Sequence, residues 1–348
     1  MRGGATVVLM SGLLAAGCSG GHEEAGEKDA GGAVSGSYPV SVTDCAGTKT
    51  TFDSPPRKIV TSNAAGLELL LRLGVGDRVV GTGFPSGNGT LPDGLDAEAR
   101  KVKVLSKGVI PKEKLLGSGA DLYLDTFGAM KMDGAGQAAT ADEYRAAGIK
   151  HVYLKSTACA ATGEGAVTDL SAVEDDIASL GAVTGAGAKA EELVAGMKRK
   201  VAAVQKAIGS TPPSARPTYF FFDYDAGTQQ PVVVCNRQVA NAVITLAGAR
   251  NVFDCDGTTQ RVGWEDVISR NPDWIQLGVR NKGSREANDK AFAEAEEWLR
   301  SNAATKGLKA VKEGHLLRIG SERTTIAGVE NADTVETIAR SLYPNKVR

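Results

Sequence analysis

The chain has 348 residues, with 40 Lys and Arg against 41 Asp and Glu, a formal net charge of −1. Near neutrality without a basic block argues against nucleic acid as the main partner, and the length gives about two domains on a scale of roughly 150 residues each. No apolar run reaches the ~18 residues of a membrane-spanning helix, 43 glycines without a three-residue period exclude collagen, and the three scattered histidines His22, His151 and His315 argue against a histidine-rich metal site.

Residues 1–17 read as a lipoprotein signal peptide. One basic residue, Arg2, precedes the apolar stretch Ala5 to Ala16, too short to span a membrane and suited to an export signal. The small residues Leu14-Ala15-Ala16-Gly17 directly before Cys18 resemble the bacterial lipobox, which makes Cys18 the expected lipidation site. Residues 18–37, rich in Gly, Ala, Ser and Glu, read as a flexible tether, because such a composition cannot bury enough apolar surface to offset its ordering entropy. The expected location is extracytoplasmic, anchored to the cell membrane, where disulfides persist. Four cysteines then remain: Cys45, Cys159, Cys235 and Cys255. Four allow three connectivities. If each half of the chain folds by itself, Cys45 pairs with Cys159 and Cys235 with Cys255; free buried thiols are the other reading.

The body opens with Tyr38-Pro-Val-Ser-Val-Thr-Asp, alternating like a strand, and Lys58-Ile-Val-Thr-Ser gives a second. Ala65 to Leu73 is a leucine-rich helix with one acid, Glu68, and a glycine stop at Gly74, before the strand Arg78-Val-Val-Gly. Strand, helix and strand in this order imply parallel βαβ units. Ala120 to Asp125 is another strand, Thr140 to Ala147 a helix, and His151-Val-Tyr-Leu a strand. Two helices follow, Ala172 to Ala182 and Ala188 to Ile208. The second carries Leu193, Met197, Val201, Val204 and Ile208 on one face and is roughly 32 Å long at 1.5 Å per residue. Pro212, Pro213 and Pro217 stop it, and Tyr219-Phe-Phe-Phe begins a second α/β half with a strand buried on both faces. The expected fold class is α/β, two Rossmann-like lobes with parallel-rich sheets joined by one long bridging helix. The N-terminal lobe spans 38–180, the bridge 181–211 and the C-terminal lobe 212–348.

Several stretches, in order and spacing, resemble one family. They are Thr43-Asp-Cys-Ala-Gly, Thr51-Phe-Asp-Ser-Pro-Pro-Arg-Lys-Ile-Val, Glu68-Leu-Leu-Leu-Arg-Leu-Gly, Ala147-Gly-Ile, Leu246-Ala-Gly-Ala-Arg-Asn-Val-Phe and Val262-Gly-Trp-Glu-Asp-Val-Ile-Ser-Arg-Asn-Pro-Asp-Trp-Ile. Behind a lipobox, and over about Pro39 to Pro344, they resemble the lipoprotein substrate-binding components of ABC importers for iron–siderophores and cobalamin. The resemblance implies a monomer that captures a ferric siderophore between two lobes and delivers it to an ABC permease, with no cofactor and no protein metal site. It also implies one docking glutamate per lobe. Glu68 occupies the matching place on the first lobe, whereas the second lobe has Thr245 where the acid is expected, with Glu265, Asp254 or Asp256 as nearby substitutes. A ferric chelate presents oxygens and bulk, so its cleft needs arginine donors and aromatic walls. The candidates after strands are Asn63, Phe84, Phe127, Tyr224, Arg237, Trp264 and Arg323, with Arg237 the leading cation. Within the same fold, cobalamin or heme is the alternative ligand. Outside it stands a secreted surface enzyme or adhesion module, against which weigh the missing GxxxxGK[ST] and GxSxG signatures.

Overall fold

The computed structural model describes residues 37–128 and 138–347. The expected signal peptide, Cys18 and all but the last residue of the tether lie outside the described residues. The body starts with an antiparallel hairpin of β1 (Val40–Thr43) and β2 (Lys49–Phe52). Its turn is held by Asp44, whose carboxylate accepts the N–H groups of Ala46 and Thr48.

The first lobe is built on β3 (Ile59–Thr61), β4 (Val79–Thr82), β5 (Leu122–Asp125) and β6 (Lys150–Tyr153), all parallel, in the order β4-β3-β5-β6. The helix Ala64–Arg72 follows β3, as the leucine run implies. The helix Ala141–Ala146 starts at Thr140 with a capping box, the Thr140 hydroxyl and the Glu143 carboxylate each taking the other's backbone N–H. β5 is buried at all four positions, the continuous apolar run expected of a parallel strand covered on both faces.

The second lobe comprises β7 (Thr218–Phe222), β8 (Val232–Val234), β9 (Arg250–Asn251), β10 (Thr259–Arg261), β11 (Trp274–Leu277) and β12 (Leu316–Arg318). Four of these form a parallel sheet in the order β12-β11-β7-β9, while β8 and β10 make an antiparallel ribbon. Between the lobes runs the helix Gly187–Ile208, 22 residues long. It begins later than residue 181, because the preceding helix Ser171–Thr184 continues to Gly185, which ends it in the left-handed region at φ +76°. Met197, Val204 and Ile208 of the bridging helix are buried. They belong to one apolar cluster that runs from Leu67 and Ile177 on one side to Val243 and Ile338 on the other.

Each lobe holds one disulfide. Cys45 is bonded to Cys159, with Cα atoms 5.3 Å apart, and Cys235 to Cys255, with Cα atoms 4.9 Å apart. The first closes a sequence separation of 114 residues and the second one of 20. Among the described residues no helix is long and apolar enough to cross a membrane.

Candidate functional site

Loops at the carboxyl ends of the parallel strands of both lobes converge on one cleft, where open α/β sheets bind their ligands. Its volume is about 920 Å³. Asn63, directly after β3, caps the helix Ala64–Arg72. Its side-chain oxygen accepts the Gly66 N–H at 3.0 Å and the Thr126 hydroxyl at 3.2 Å, stitching the loop after β3 to the loop after β5. Phe127, in that second loop, is placed by Asp125. One carboxylate oxygen accepts the N–H groups of Phe127 and Gly128, and the other lies 3.1 Å from His151 Nε2. Phe84 follows β4 with φ +35°, held by a hydrogen bond from the Ala64 N–H to its carbonyl. Its ring meets Phe127 edge to face at 5.5 Å. Phe221 and Phe292 add apolar surface from the other lobe.

Four of the seven cleft candidates line this space: Asn63, Phe84, Phe127 and Arg323. The other three do not. Tyr224 and Trp264 pack against Phe222, at 5.9 and 5.3 Å between ring centroids, and Trp264 Nε1 donates to the Thr228 carbonyl. The reason is strand parity. Phe220 and Phe222 sit in an outer cluster with these rings, while Tyr219 and Phe221 face the inner core, as successive side chains on a strand alternate. Arg237 is spent on structure, donating to the Gly163 carbonyl of the other lobe and to Asp256.

Glu68 also differs from expectation. An exposed acid was expected; instead it is 7% exposed and lines the cleft, held by Arg72 at 2.6 Å. Burial, and then the charge of Glu330, push its carboxyl up to about 7 against the opposing pull of Arg72. The helix carrying it is buried over Gly66–Leu71, and Glu330 and Arg323 of the second lobe lie near enough to act on its charge. Glu68 is therefore not presented on the outer surface for docking. Glu265 is exposed in the first turn of the helix Trp264–Arg270. Among the described residues no three His, Cys, Asp or Glu side chains group as metal ligands.

Other cleft residues escaped sequence reasoning. Arg285 donates from Nε and Nη2 to the Gly89 carbonyl at 2.9 and 2.6 Å, and Asn281 Nδ2 donates to the Pro85 carbonyl. Backbone bonds join Asn88 to Gly283 and Arg285 along the same seam. The approach is close enough that a Cβ on Gly87 would lie 2.9 Å from the backbone carbonyl carbon of Gly283, which favours glycine there. The local signal was modest: a Lys282-Gly-Ser turn before an amphipathic run.

Two α/β lobes on a stiff helix, with a lined cleft at the strand ends, define a binding protein. The chain belongs to the periplasmic binding protein family, whose model matches residues 59–322. It is similar to a cobalamin-binding protein of Halobacterium salinarum, 28% identical over 292 residues that cover 82% of this chain and 69% of that one. An uncharacterized ABC transporter substrate-binding lipoprotein of Bacillus subtilis, YvrC, is 24% identical over 345 residues, 97% and 96% of the two chains. Among solved structures, a periplasmic binding protein from Veillonella parvula superposes with a TM-score of 0.73 at 28% identity, covering 88% of this chain and 98% of that one. The protein is thus an extracytoplasmic-type binding protein of an import system.

Proposed function

We propose that the protein captures a ferric siderophore in the interlobe cleft and hands it to an ABC permease, while lipid on Cys18 holds it to the membrane. The observation that carries the ligand reading is the cleft. About 920 Å³ is near the upper end of the ~300–1,000 Å³ of small-molecule sites, far beyond a bare ion. Its aromatic surfaces at Phe84, Phe127 and Phe292 suit stacking, and its polar side chains suit oxygens that a chelate presents. A free Fe³⁺ would need several carboxylate, imidazole or phenolate ligands to converge, and the described cleft residues include no histidine and no tyrosine. The bridging helix resists bending, so release to the permease would be a small rocking of the lobes.

Cobalamin is the second reading, favoured by the Halobacterium relative. Titration calorimetry of the protein against ferric siderophores, cobalamin, heme and uncomplexed Fe³⁺ tests the assignment, paired with iron uptake by cells. Tight binding of Fe³⁺ alone, with none of any chelate, overturns it. Cys18→Ala should release the protein from the membrane fraction with ligand affinity unchanged; retention there would refute the anchor.

A further inference from the structure

Resting on the chelate-receptor reading, we infer that the cleft selects chelates without net negative charge, a neutral ferric trihydroxamate being the class that fits, and rejects anionic ones such as ferric tris-catecholates and heme. The cleft wall is charge-balanced. Among the described lining residues the cations are Lys107, Arg280, Arg285, Arg318 and Arg323. The acids are Glu68, Asp223, Asp289, Glu322 and Glu330, five against five by formal charge, with Glu68 only part-ionised near pH 7.

The four arginines are already engaged. Arg280 lies 2.9 Å from Asp223, Arg318 2.7 Å from Glu296 and Arg323 3.5 Å from Glu330, while Arg285 is bound to the Gly89 carbonyl. Among the described residues Lys107 alone of the five has neither an ion-pair partner nor a side-chain hydrogen bond. An entering trianion would compete with Asp223, Glu296 and Glu330 for guanidinium groups that are 44–53% exposed. Each exchange leaves an acid uncompensated beside the ligand, and charge removed from water without a partner is costly. A neutral chelate meets no such penalty. Its oxygens and amides can bond to uncharged lining side chains such as Ser86, Thr258 and Thr259 while its apolar parts stack on Phe84 and Phe127. Discrimination therefore comes from repulsion built against the wrong ligand as well as from contacts to the right one.

The test is titration calorimetry on the detergent-solubilised full-length protein with four probes: a neutral ferric trihydroxamate, a ferric tris-catecholate, heme and cyanocobalamin. The trihydroxamate should bind about 100-fold or more tighter than either anion, the order expected of unfavourable charge juxtaposition. Glu330→Gln, which makes the wall net positive, should narrow that gap about tenfold. A tris-catecholate or heme bound as tightly as the trihydroxamate, or a gap unmoved by Glu330→Gln, overturns the inference and leaves the receptor reading standing. Preference for cyanocobalamin, itself neutral, keeps the inference and replaces the siderophore. If no chelate binds, the receptor reading fails and this inference falls with it.

Discussion

The two walls of the cleft are built on similar parallel sheets yet differ in chemistry. The first lobe contributes Phe84 and Phe127 with only two charged side chains, Glu68 and Lys107. The second contributes eight charged side chains, among them the Arg280–Asp223 and Arg323–Glu330 pairs. Both walls carry aromatic surface, Phe84 and Phe127 on one and Phe221 and Phe292 on the other, and the second adds a mesh of charged side chains. The contrast is therefore one of charge: on the receptor reading, the second lobe is the wall that would discriminate ligand charge, while both supply stacking surface. Stacking on rings is tolerant of ligand type, whereas arginines held by carboxylates would make the wall sensitive to ligand charge.

The largest expected effect concerns how each wall is braced. Cys159 follows the short helix that presents Ser156 and Thr157 to the cleft, and Cys235 follows Val234 of the other wall. In the loop-entropy model the separations of 114 and 20 residues correspond to about 5 and about 3 kcal/mol. Cys45→Ser with Cys159→Ser should therefore lower unfolding free energy more than Cys235→Ser with Cys255→Ser, as read by denaturant titration. The reverse order would mean that native packing, and not chain entropy, sets the contribution of each bridge.

A pH experiment isolates the one acid buried in the first lobe's wall. Glu68 is pushed up to about 7 in the folded protein from an ordinary 4.5. The folded state thus keeps a proton between those pH values that the unfolded state has lost. Stability from this group is full below pH 4.5, falls as pH rises toward 7, and is level beyond, by at most about 3 kcal/mol. Glu330, Arg72 and Arg323 share the field, so the titration belongs to the cluster. Asp176, raised to about 6 by burial, gives a slope of the same sign. The readout is therefore the difference between the wild type and Glu68→Gln in urea melts at pH 5 and pH 8. Glu68→Gln should flatten the decline; an identical slope in both proteins would place Glu68 in contact with water.

Much of this arrangement was legible in the chain. The 3.6-residue stripe marked the bridging helix, and apolar runs marked β3, β5 and β7, because those patterns are set by what each segment must bury. Phe84 and Phe127 were legible because each directly follows a strand. Tyr224 and Trp264 were misread although the parity of β7 held the answer: Phe220, Phe222 and Tyr224 share a face, and it is the outer one. Glu68 was beyond local reasoning. A lone acid among leucines points to water only if water is there, and here it is 7% exposed, within reach of the charges of Glu330 and Arg323 from the other lobe. Arg285 and Gly89 meet across 196 residues, and no local period encodes such a contact.

The next effect tests stacking directly. Phe127→Ala removes an aromatic face and the edge contact to Phe84, and should weaken chelate binding about 30-fold, the range of a central aromatic contact. Arg323→Ala, on the mesh wall, should cost about threefold for a neutral chelate. Calorimetry on both variants with one ligand decides the ranking. A larger loss for Arg323→Ala would mean that the charged mesh, and not stacking, carries affinity for a neutral chelate.

The smallest effect lies at the seam where the walls meet. Arg285 donates twice to the Gly89 carbonyl, at 2.9 and 2.6 Å, and its own N–H bonds to the Asn88 carbonyl. The side chain is exposed, so each bond replaces one to water and the pair contributes only about 1 kcal/mol. That amount acts on the closed form alone, since opening the lobes separates residues 89 and 285. Arg285→Ala should therefore leave association nearly unchanged and raise the dissociation rate about fivefold. Thermal stability should hold, because the apolar cluster through the bridging helix is untouched. Stopped-flow release of a bound chelate, beside a melting curve, separates the outcomes. A slower association with unchanged release would mean that Arg285 guides the ligand in, and a lowered melting temperature would mean that the seam supports the fold and not the closed state.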